Sequence, residues 1–315
     1  MNGPARIDCV VVGSLNLDWL IECTHLPDRG ETVGGCRSRK VPGGKGANQA
    51  VAAARSGAIV AMVGAVGKNE QGQFLIEQLK KDQVDFRFVQ MLSEVETGTA
   101  IVAVETSGEN AILVIPGANN LVTSDHVRHA LSHLPDTAGM LLQGEIPADS
   151  IVAAVEEAQR KTMRVILNPA PMLDPFPERL WNVDLLIVNE GEARQLSGRP
   201  LKDAAEALDV AAWIQNRGPK NVVVTLGADG AVFRDRQGQG NWFPAVPARV
   251  VDTTAAGDCF VGALASRWLR GESLAQAMRY ALAAASIAVS RMGAQPSLPH
   301  EAEVVAMMDR YSENH

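Results

Sequence analysis

Alternation of short apolar runs with amphipathic stretches is the feature that most constrains the fold of this 315-residue chain. Runs rich in β-branched residues predict buried strands at 9–12, 59–64, 140–142, 164–167, 185–188 and 222–226. Helical spacing of apolar residues predicts helices at 47–56, 71–82, 150–161, 190–197, 204–217, 260–270 and 278–289. Repeated strand–helix–strand units predict a doubly wound α/β fold, in which a mostly parallel sheet is covered by helices on both faces. In such a fold we expect the functional site beyond the carboxyl ends of the strands.

Two segments interrupt this alternation. Residues 99–104 and 111–115 flank Ser107-Gly-Glu-Asn110, which is typical of a β-hairpin turn. Residues 15–41 have the character of extended chain, with turn residues at 27–28 and 34–35. We expect these segments to form a small antiparallel sheet beside the main domain, and an ordinary edge hairpin is the alternative.

Composition and charge exclude several partners. A hydrophobic content of 46% is ordinary for a globular protein with a substantial core. The net charge of −7 argues against nucleic acid or an anionic membrane as a partner, because no basic stripe supplies the necessary field. The apolar helix at 278–289 is shorter than the ~20 residues a bilayer requires, and residues 1–12 do not resemble a signal peptide. The four cysteines form no C-x-x-C pair, which argues against disulfides or a zinc site and favours the cytoplasm.

Two motifs near the amino terminus could recognise hydroxyl groups. Asn16 and Asp18 follow the first strand and point the same way on extended chain, so that they can bond vicinal hydroxyls. The alternative is a turn in which both side chains bond the backbone. Pro42-Gly-Gly-Lys-Gly-Ala-Asn48 leads into a helix, where glycines permit close approach of a ligand. It is neither a Walker A loop nor a Rossmann fingerprint.

The strongest local motif is Asp252-Thr-Thr-Ala-Ala-Gly-Asp258, at the start of the helix predicted at 260–270. Small residues at a helix N-terminus leave several N–H groups directed at one point, which predicts an anion hole for a phosphoryl group. An ionised Asp258 beside it is placed to accept a proton from an attacking hydroxyl. The alternative is that Asp258 only complements the helix dipole.

Two further motifs stand at predicted strand ends. Asn189-Glu-Gly-Glu192 could organise the hydration shell of Mg²⁺, and an exposed acidic helix start is the alternative. Thr225-Leu-Gly-Ala-Asp-Gly230 could pass beneath a nucleotide or form a hairpin turn.

These five motifs, in this order, resemble the phosphofructokinase-B (ribokinase-like) family of carbohydrate kinases over about residues 10–297. Four segments are most similar to the members that phosphorylate ribose: 43–50, 114–119, 167–171 and 293–297. The resemblance implies a single α/β domain over residues 1–310, with lid segments inserted at about 15–43 and 97–115. It also implies ATP-dependent phosphorylation of the primary hydroxyl of a small sugar, with D-ribose as the expected substrate. ATP, Mg²⁺ and an activating K⁺ would be the cofactors, and the lid would form a homodimer contact.

The resemblance also implies roles for individual residues. Asp258 would be the general base, with an anion hole formed by Ala255, Ala256 and Gly257. The sugar would be held by Asn16, Asp18, Gly44, Lys45, Asn48, Glu145 and Asp258. The nucleotide site would be lined by Asn189, Thr225, Gly227, Asp229, Gly230, Gly257 and Leu282, and Glu192 would contact Mg²⁺ through water. The monovalent cation would lie near Asp252, Thr254, Ala288, Arg291, Gly293 and Ser297.

The chain departs from the family pattern at three positions. Gly191 and Cys259 stand where Thr is common, and Leu282 stands where a polar residue often lies beside adenine. A thiol at a helix N-terminus can have a lowered pKa and be oxidisable, so this is a hypothesis for Cys259, with an inert buried thiol as the alternative. The alternatives for function are another sugar or nucleoside kinase of the family, or a kinase-like sugar sensor without turnover.

Overall fold

A large, mostly parallel sheet forms the centre of the molecule in the computed structural model, which describes residues 7–105, 110–135, 137 and 139–313. In chain order, its strands are β1 (Cys9–Val12), β4 (Val60–Gly67), β5 (Asp85–Leu92), β8 (Gly139–Gln143), β9 (Arg164–Asn168), β10 (Leu185–Asn189), β11 (Asn221–Thr225), β12 (Ala231–Arg234) and β13 (Gly240–Phe243). Their spatial order is β13-β12-β11-β10-β9-β8-β1-β4-β5, and the β11–β12 and β12–β13 pairs are antiparallel.

Helices cover both faces of this sheet. They are α1 (Lys45–Arg55), α2 (Glu70–Lys81), α3 (Ser124–His133), α4 (Ala148–Arg160), α5 (Glu190–Ser197), α6 (Ala204–Gln215), α7 (Ala256–Leu269), α8 (Leu274–Ala288) and α9 (Glu301–Glu313). Of the helices in the described residues, none combines the length and apolar character needed to cross a membrane.

The alternation of side chains along β1 divides the core into two halves. Cys9 and Val11 pack with apolar residues of α1, α7 and α8, whereas Val10 and Val12 pack with those of α3, α4 and α6. Strands buried on both faces read as continuous apolar runs, which is why β1 and β8–β11 were recognisable from the sequence. The predicted doubly wound α/β class is confirmed.

A second sheet, here called the lid sheet, consists of β2 (Asn16–Cys23), β3 (Gly35–Gly43), β6 (Gly98–Glu105) and β7 (Asn110–Ile115). Its order is β3-β2-β6-β7. The β2–β3 and β6–β7 pairs are antiparallel, as predicted, and the central β2–β6 pair that joins them is parallel. Of the predicted turn at 107–110, residues 107–109 lie outside the described part of the chain.

The topology determines where ligands can bind. β1 lies between β4 and β8: the chain builds the sheet from β1 through β4 to β5 and then continues on the other side of β1 with β8, so the strand order reverses beside β1. Such a reversal opens a crevice at the carboxyl ends of the strands. The chain leaves β1 at Val12 and enters the lid sheet at Asn16, which places the first polar motif at this crevice.

Candidate active site

A cavity of about 840 Å³ separates the lid sheet from the carboxyl edge of the large sheet. One face of the lid sheet forms its roof, with Leu20, Val41 and Val102 among the roof residues. All seven residues predicted to hold the sugar line it: Asn16, Asp18, Gly44, Lys45, Asn48, Glu145 and Asp258. Segments far apart in the sequence therefore meet in one cavity.

Asp258 lies in the first turn of α7, and its side chain is buried at the cavity wall with 6% exposure. Its two carboxylate oxygens accept hydrogen bonds from Asn48 Nδ2 at 3.0 Å and Gln49 Nε2 at 2.9 Å. Gln49 also donates to Asn168 Oδ1 at 2.9 Å and accepts from Gln143 Nε2 at 2.8 Å. This network holds the carboxylate in one orientation, because Gln49 is itself fixed by Gln143 and Asn168, whereas Asn48 Oδ1 is buried without a partner in the described residues.

Gln49, Gln143 and Asn168 were not predicted as site residues. Gln49 follows Asn48 directly, and the other two end strands β8 and β9 at the carboxyl edge of the sheet. Polar residues that end otherwise apolar strands were the available signal.

The surroundings of Asp18 destabilise the ionised form of its carboxyl group. Its Oδ1 is buried without a hydrogen-bond partner among the described residues, and the backbone of Gly43 passes so close that a Cβ there would overlap the carboxyl group. Burial, followed by repulsion from Glu145 and Asp258, raises its pKa from 3.8 to about 7, although Lys45 partly opposes the rise. A carboxyl group with an unused acceptor facing a cavity is suited to a hydroxyl ligand.

Lys45 and Glu145 also line the cavity, opposite in charge to each other. Glu145 Oε2 accepts from Ser14 Oγ at 2.5 Å and from the Lys45 N–H at 3.0 Å, and therefore ties β1's exit to the start of α1. The negative charge of Asp258 raises the pKa of the Lys45 ammonium despite burial, and Glu145, Glu192 and Asp18 add to the effect. The Lys45 ammonium therefore partly balances the negative charge of the surrounding carboxylates.

Asn16 is oriented by a residue that was not predicted as part of the site. Asn119 Nδ2 donates to Asn16 Oδ1 at 2.7 Å and to the Leu15 carbonyl at 3.2 Å, while its Oδ1 accepts from the Leu15 N–H at 2.9 Å. A Cβ on Gly98 would displace both amides, since it would lie within 2.3 Å of each. With its oxygen occupied, Asn16 presents its NH₂ group as a hydrogen-bond donor.

The predicted anion hole lies at the start of α7. Ala255 precedes the helix in a left-handed conformation (φ 57°), and the N–H of Ala256 donates to the Thr253 carbonyl at 3.2 Å. The N–H groups of Gly257 and Asp258 have no acceptor in the described part of the chain. First-turn N–H groups of this kind bind anions. Of the predicted donors, the N–H of Gly257 is therefore available and that of Ala256 is already engaged, while the N–H of Asp258 is a further donor that was not predicted.

The predicted nucleotide residues do not line the cavity, and all of them except Gly257 and Leu282 lie at or just beyond the ends of β10 and β11. Asn189 and Thr225 are paired across β10 and β11, and Gly227–Asp229 forms an exposed turn directly after β11. Gly230 has φ 89°, and a Cβ there would lie 2.0 Å from the Phe243 carbonyl, so only glycine fits. Leu282 is buried within α8 among apolar residues.

Glu192 caps α5 and also interacts electrostatically with Lys45 and Asp258, which line the cavity. It exchanges two hydrogen bonds with Asn189 in a capping box, at 2.8 and 2.9 Å. Burial raises its pKa, against the lowering effects of the Asn189 N–H and Lys45. Only Oε2 is used by the cap, which leaves Oε1 without a partner in the described residues.

Three of the six residues predicted around a monovalent cation, Asp252, Thr254 and Gly293, are connected by hydrogen bonds. Asp252 Oδ1 accepts from the N–H and hydroxyl of Thr254 at 2.9 and 2.6 Å, and Oδ2 accepts from the Gly293 N–H at 2.8 Å. Burial alone would raise the pKa of Asp252, but these hydrogen bonds hold it below its usual value. The Arg291 side chain pairs with Glu303, so only its backbone carbonyl could face a cation. Ala288 and Ser297 are fully buried near this loop.

Two other observations concern metals and thiols. Within residues 7–105, 110–135, 137 and 139–313, no three His, Cys, Asp or Glu side chains are grouped as a metal site. All four cysteines are free. The hypothesis of an activated Cys259 thiol is wrong: the side chain is buried, and burial together with the charge of Asp258 raises its pKa to about 12.

Fold and cavity together define an α/β enzyme that closes a small sheet over a polar, acidic cleft facing a helix N-terminus. The chain belongs to the pfkB family of carbohydrate kinases, whose family model matches residues 6–301. It is similar to ribokinase of Haemophilus influenzae, with 34% identity over 304 residues that cover 96% of this chain and 99% of the relative. Mouse ribokinase is 35% identical and covers 94% of this chain, which spans 93% of it.

Solved structures agree with this assignment. The structure of Arabidopsis thaliana ribokinase complexed with ribose and ATP matches with a TM-score of 0.87 at 31% identity, covering 96% of this chain and 99% of that one. Ribokinase from Thermotoga maritima matches with a TM-score of 0.86 at 33% identity and the same coverage. The predicted family and the enzyme class, a carbohydrate kinase, are confirmed.

Proposed function

We propose that this enzyme transfers the γ-phosphoryl group of ATP to the primary hydroxyl of D-ribose, forming ribose 5-phosphate. The observation that carries the proposal is the position of Asp258, whose carboxylate lines the cavity beside the unoccupied N–H groups of α7. Full-length similarity to ribokinases, including the one solved with ribose and ATP, supports the choice of substrate.

The residues suggest how the reaction proceeds. Asn16 donates to a sugar hydroxyl and Asp18 accepts from one, which places the primary hydroxyl against Asp258. Asp258 accepts the hydroxyl proton as the sugar oxygen bonds to the γ-phosphorus and the bond to the bridging oxygen of ADP breaks. The N–H groups of Gly257 and Asp258 stabilise the charge on the transferring group. Most of the rate enhancement then comes from positioning and charge.

Mg²⁺ and a monovalent cation belong to the same proposal. Glu192, through its unused Oε1, would hold a water molecule of Mg²⁺, and the ion would neutralise the phosphate charge. The carboxylate, hydroxyl and carbonyl oxygens around Asp252, Thr254 and Gly293 form the hard donor set that suits K⁺. We expect Asp252→Ala to weaken activation of turnover by K⁺, measured by titrating KCl at constant ionic strength. An unchanged K⁺ response would contradict this site.

A homodimer through the lid sheet is also proposed. Trp19, Leu113 and Ile115 are 40%, 63% and 42% exposed, and all three lie on the lid face turned away from the cavity. A contiguous exposed apolar surface of this kind is typical of an interface. The four free cysteines support the expected cytoplasmic location.

The alternatives are a nucleoside kinase and a sugar sensor. No aromatic side chain lines the described part of the cavity, which leaves nothing to stack a nucleobase and favours a sugar over a nucleoside. The intact Asp258 network favours an enzyme over a sensor.

A coupled assay of ADP release tests the proposal. It would compare ribose, 2-deoxyribose, arabinose, xylose, fructose and adenosine. We expect the highest kcat/KM with ribose and a lower value with 2-deoxyribose, because Asn16 and Asp18 would lose a hydroxyl partner. Preference for adenosine would support the nucleoside kinase, and sugar binding without ADP release would support the sensor.

A further inference from the structure

The roof of the cavity carries one cation on a largely apolar face. Arg39 lies on β3 opposite Leu20 and lines the cavity among Val41, Val102 and Ile112. Its Nε is buried and has no hydrogen-bond partner, and the side chain forms no ion pair within the described residues. A buried, unsatisfied charged donor is costly, so its retention calls for a partner that arrives with a ligand.

The surroundings of Arg39 identify the kind of ligand. Arg39 shares the cavity with the loop before α7, because Asp252, Thr254 and Ala255 line the same space. Asp252 opens the loop that leads to the free N–H groups of α7. Arg39 on the roof and the start of α7 therefore border one cavity, and an anion bound at the N–H groups would lie in the space that Arg39 also borders. Neither Glu22 nor Glu105, which line the same cavity, pairs with Arg39 in the described chain.

We propose that Arg39 is a lid-borne catalytic residue that binds the phosphoryl group during its transfer to the sugar and on the sugar phosphate product. This inference rests on the proposed function and adds a residue to its site. Arg39 takes part in no bond making: its guanidinium donates to phosphoryl oxygens on the side opposite the N–H groups of α7, in the planar geometry that suits phosphate. Closure of the lid over a sugar would bring it to that position, so phosphoryl binding and lid closure are coupled.

Arg39→Gln tests the proposal, with Arg37→Gln as the matched control. Arg37 lies two residues away on β3, loses the same charge, is exposed and does not line the cavity. We expect Arg39→Gln to lower kcat/KM for ATP about 10- to 100-fold, in line with loss of a charge-assisted hydrogen bond. Calorimetry should show ribose 5-phosphate binding weakened at least ~10-fold and binding of ribose alone changed less than ~2-fold. The control should match the unmodified enzyme.

Rescue separates this role from a structural one. Adding guanidinium ion to Arg39→Ala should restore part of the lost turnover, and Arg39→Lys should retain more turnover than Arg39→Gln. Equal kinetics for the Arg39→Gln and Arg37→Gln enzymes would overturn the proposal. So would equal losses of ribose and ribose 5-phosphate binding, because a distorted lid would affect both. Absence of turnover in the unmodified enzyme with every sugar would instead refute the proposed function.

Discussion

Asp258 shows how a single side chain depends on its partners. Replacing it with Asn would keep an oxygen for Gln49 or Asn48 but remove the proton acceptor. We expect Asp258→Asn to lower turnover at least ~100-fold while ribose and ATP binding stay nearly unchanged, since a positioned base contributes mainly to the chemical step. Single-turnover kinetics and calorimetry would measure the two effects. Asp309→Asn, on the exposed face of α9, is the control, and near-normal turnover in Asp258→Asn would exclude the base assignment.

Ionisation of Asp18 is expected to raise activity and to lower stability as the pH increases. Its pKa is raised to about 7, so the carboxyl group becomes protonated as the pH falls below that value. Ionised carboxylate is the stronger acceptor for a sugar hydroxyl. We therefore expect kcat/KM for ribose to fall as the pH drops below about 7. Asp18→Asn should lower the whole profile and remove this inflection, and an inflection that persists in the variant would assign it to another group.

The sign for stability follows from proton binding. Between pH 3.8 and about 7 the folded protein holds the Asp18 proton more tightly than the unfolded chain does. The contribution of this group to the free energy of unfolding therefore decreases as the pH rises through that window. Asp18→Asn should raise the Tm of the ligand-free enzyme at pH 8 and have less effect at pH 5, as measured by calorimetry. A lower Tm at pH 8 would contradict the strain assigned to this carboxylate.

Residues next to strand ends were predictable, whereas their supporting partners were not. Asn16, Asp18 and Asp258 follow β1 or begin α7, and topology alone brings these positions to one crevice. Asn119 reaches Asn16 across 103 residues, and Gln143 reaches Gln49 across 94. No local sequence pattern predicts a hydrogen bond between side chains that are so far apart in the chain.

At the scale of elements, the contact between α1 and α7 positions the catalytic network. Gly262 lies one turn after Asp258, and a Cβ there would come within 2.4 Å of the Gln49 carbonyl and 2.6 Å of the Ala52 Cβ. Gly262→Ala would force the helices apart and so lengthen the bonds from Asn48 and Gln49 to Asp258. Overpacking costs ~1–3 kcal/mol, which the higher helix propensity of Ala offsets by about 1.

We therefore expect Gly262→Ala to reduce turnover more than its modest loss of stability explains. Chemical denaturation would give the free energy of unfolding, and the ADP-release assay would give kcat at a temperature where the variant is folded. Normal kcat in the folded variant would show that the spacing of α1 and α7 does not control Asp258.

The secondary-structure elements differed in how clearly the sequence predicted them. The predicted bounds of β9, β10 and α5 agree with the structure to within one residue, because their apolar runs end at polar residues. β5, β12 and β13 were missed. β5 lies at the sheet edge with only Val89 buried, and β13 is short and mostly exposed, so neither has a continuous apolar run. The parallel pairing of β2 with β6 joins segments about 80 residues apart, and a hairpin signal cannot predict such pairing.

For the whole molecule, the lid sheet presents apolar side chains on both of its faces. The inner face borders the cavity, and the outer face leaves Trp19, Leu113 and Ile115 exposed to solvent. A second copy of the chain would remove the outer face from water and hold the lid strands in place. Such a subunit contact would link assembly to lid closure, which both the sugar site and Arg39 require.

Leu113→Glu tests this arrangement, because Leu113 is 63% exposed at the centre of edge strand β7. Two carboxylates placed in an isologous interface would be desolvated without partners, so we expect the variant to sediment as a monomer at micromolar concentration. Val305→Glu, at a 40% exposed position on α9, adds the same charge away from the lid and should remain dimeric. A dimeric Leu113→Glu variant, or an unmodified enzyme that is monomeric, would exclude the lid as the interface. If the monomer forms and its KM for ribose rises while the kcat at saturation persists, the subunit contact serves to hold the lid closed over the sugar.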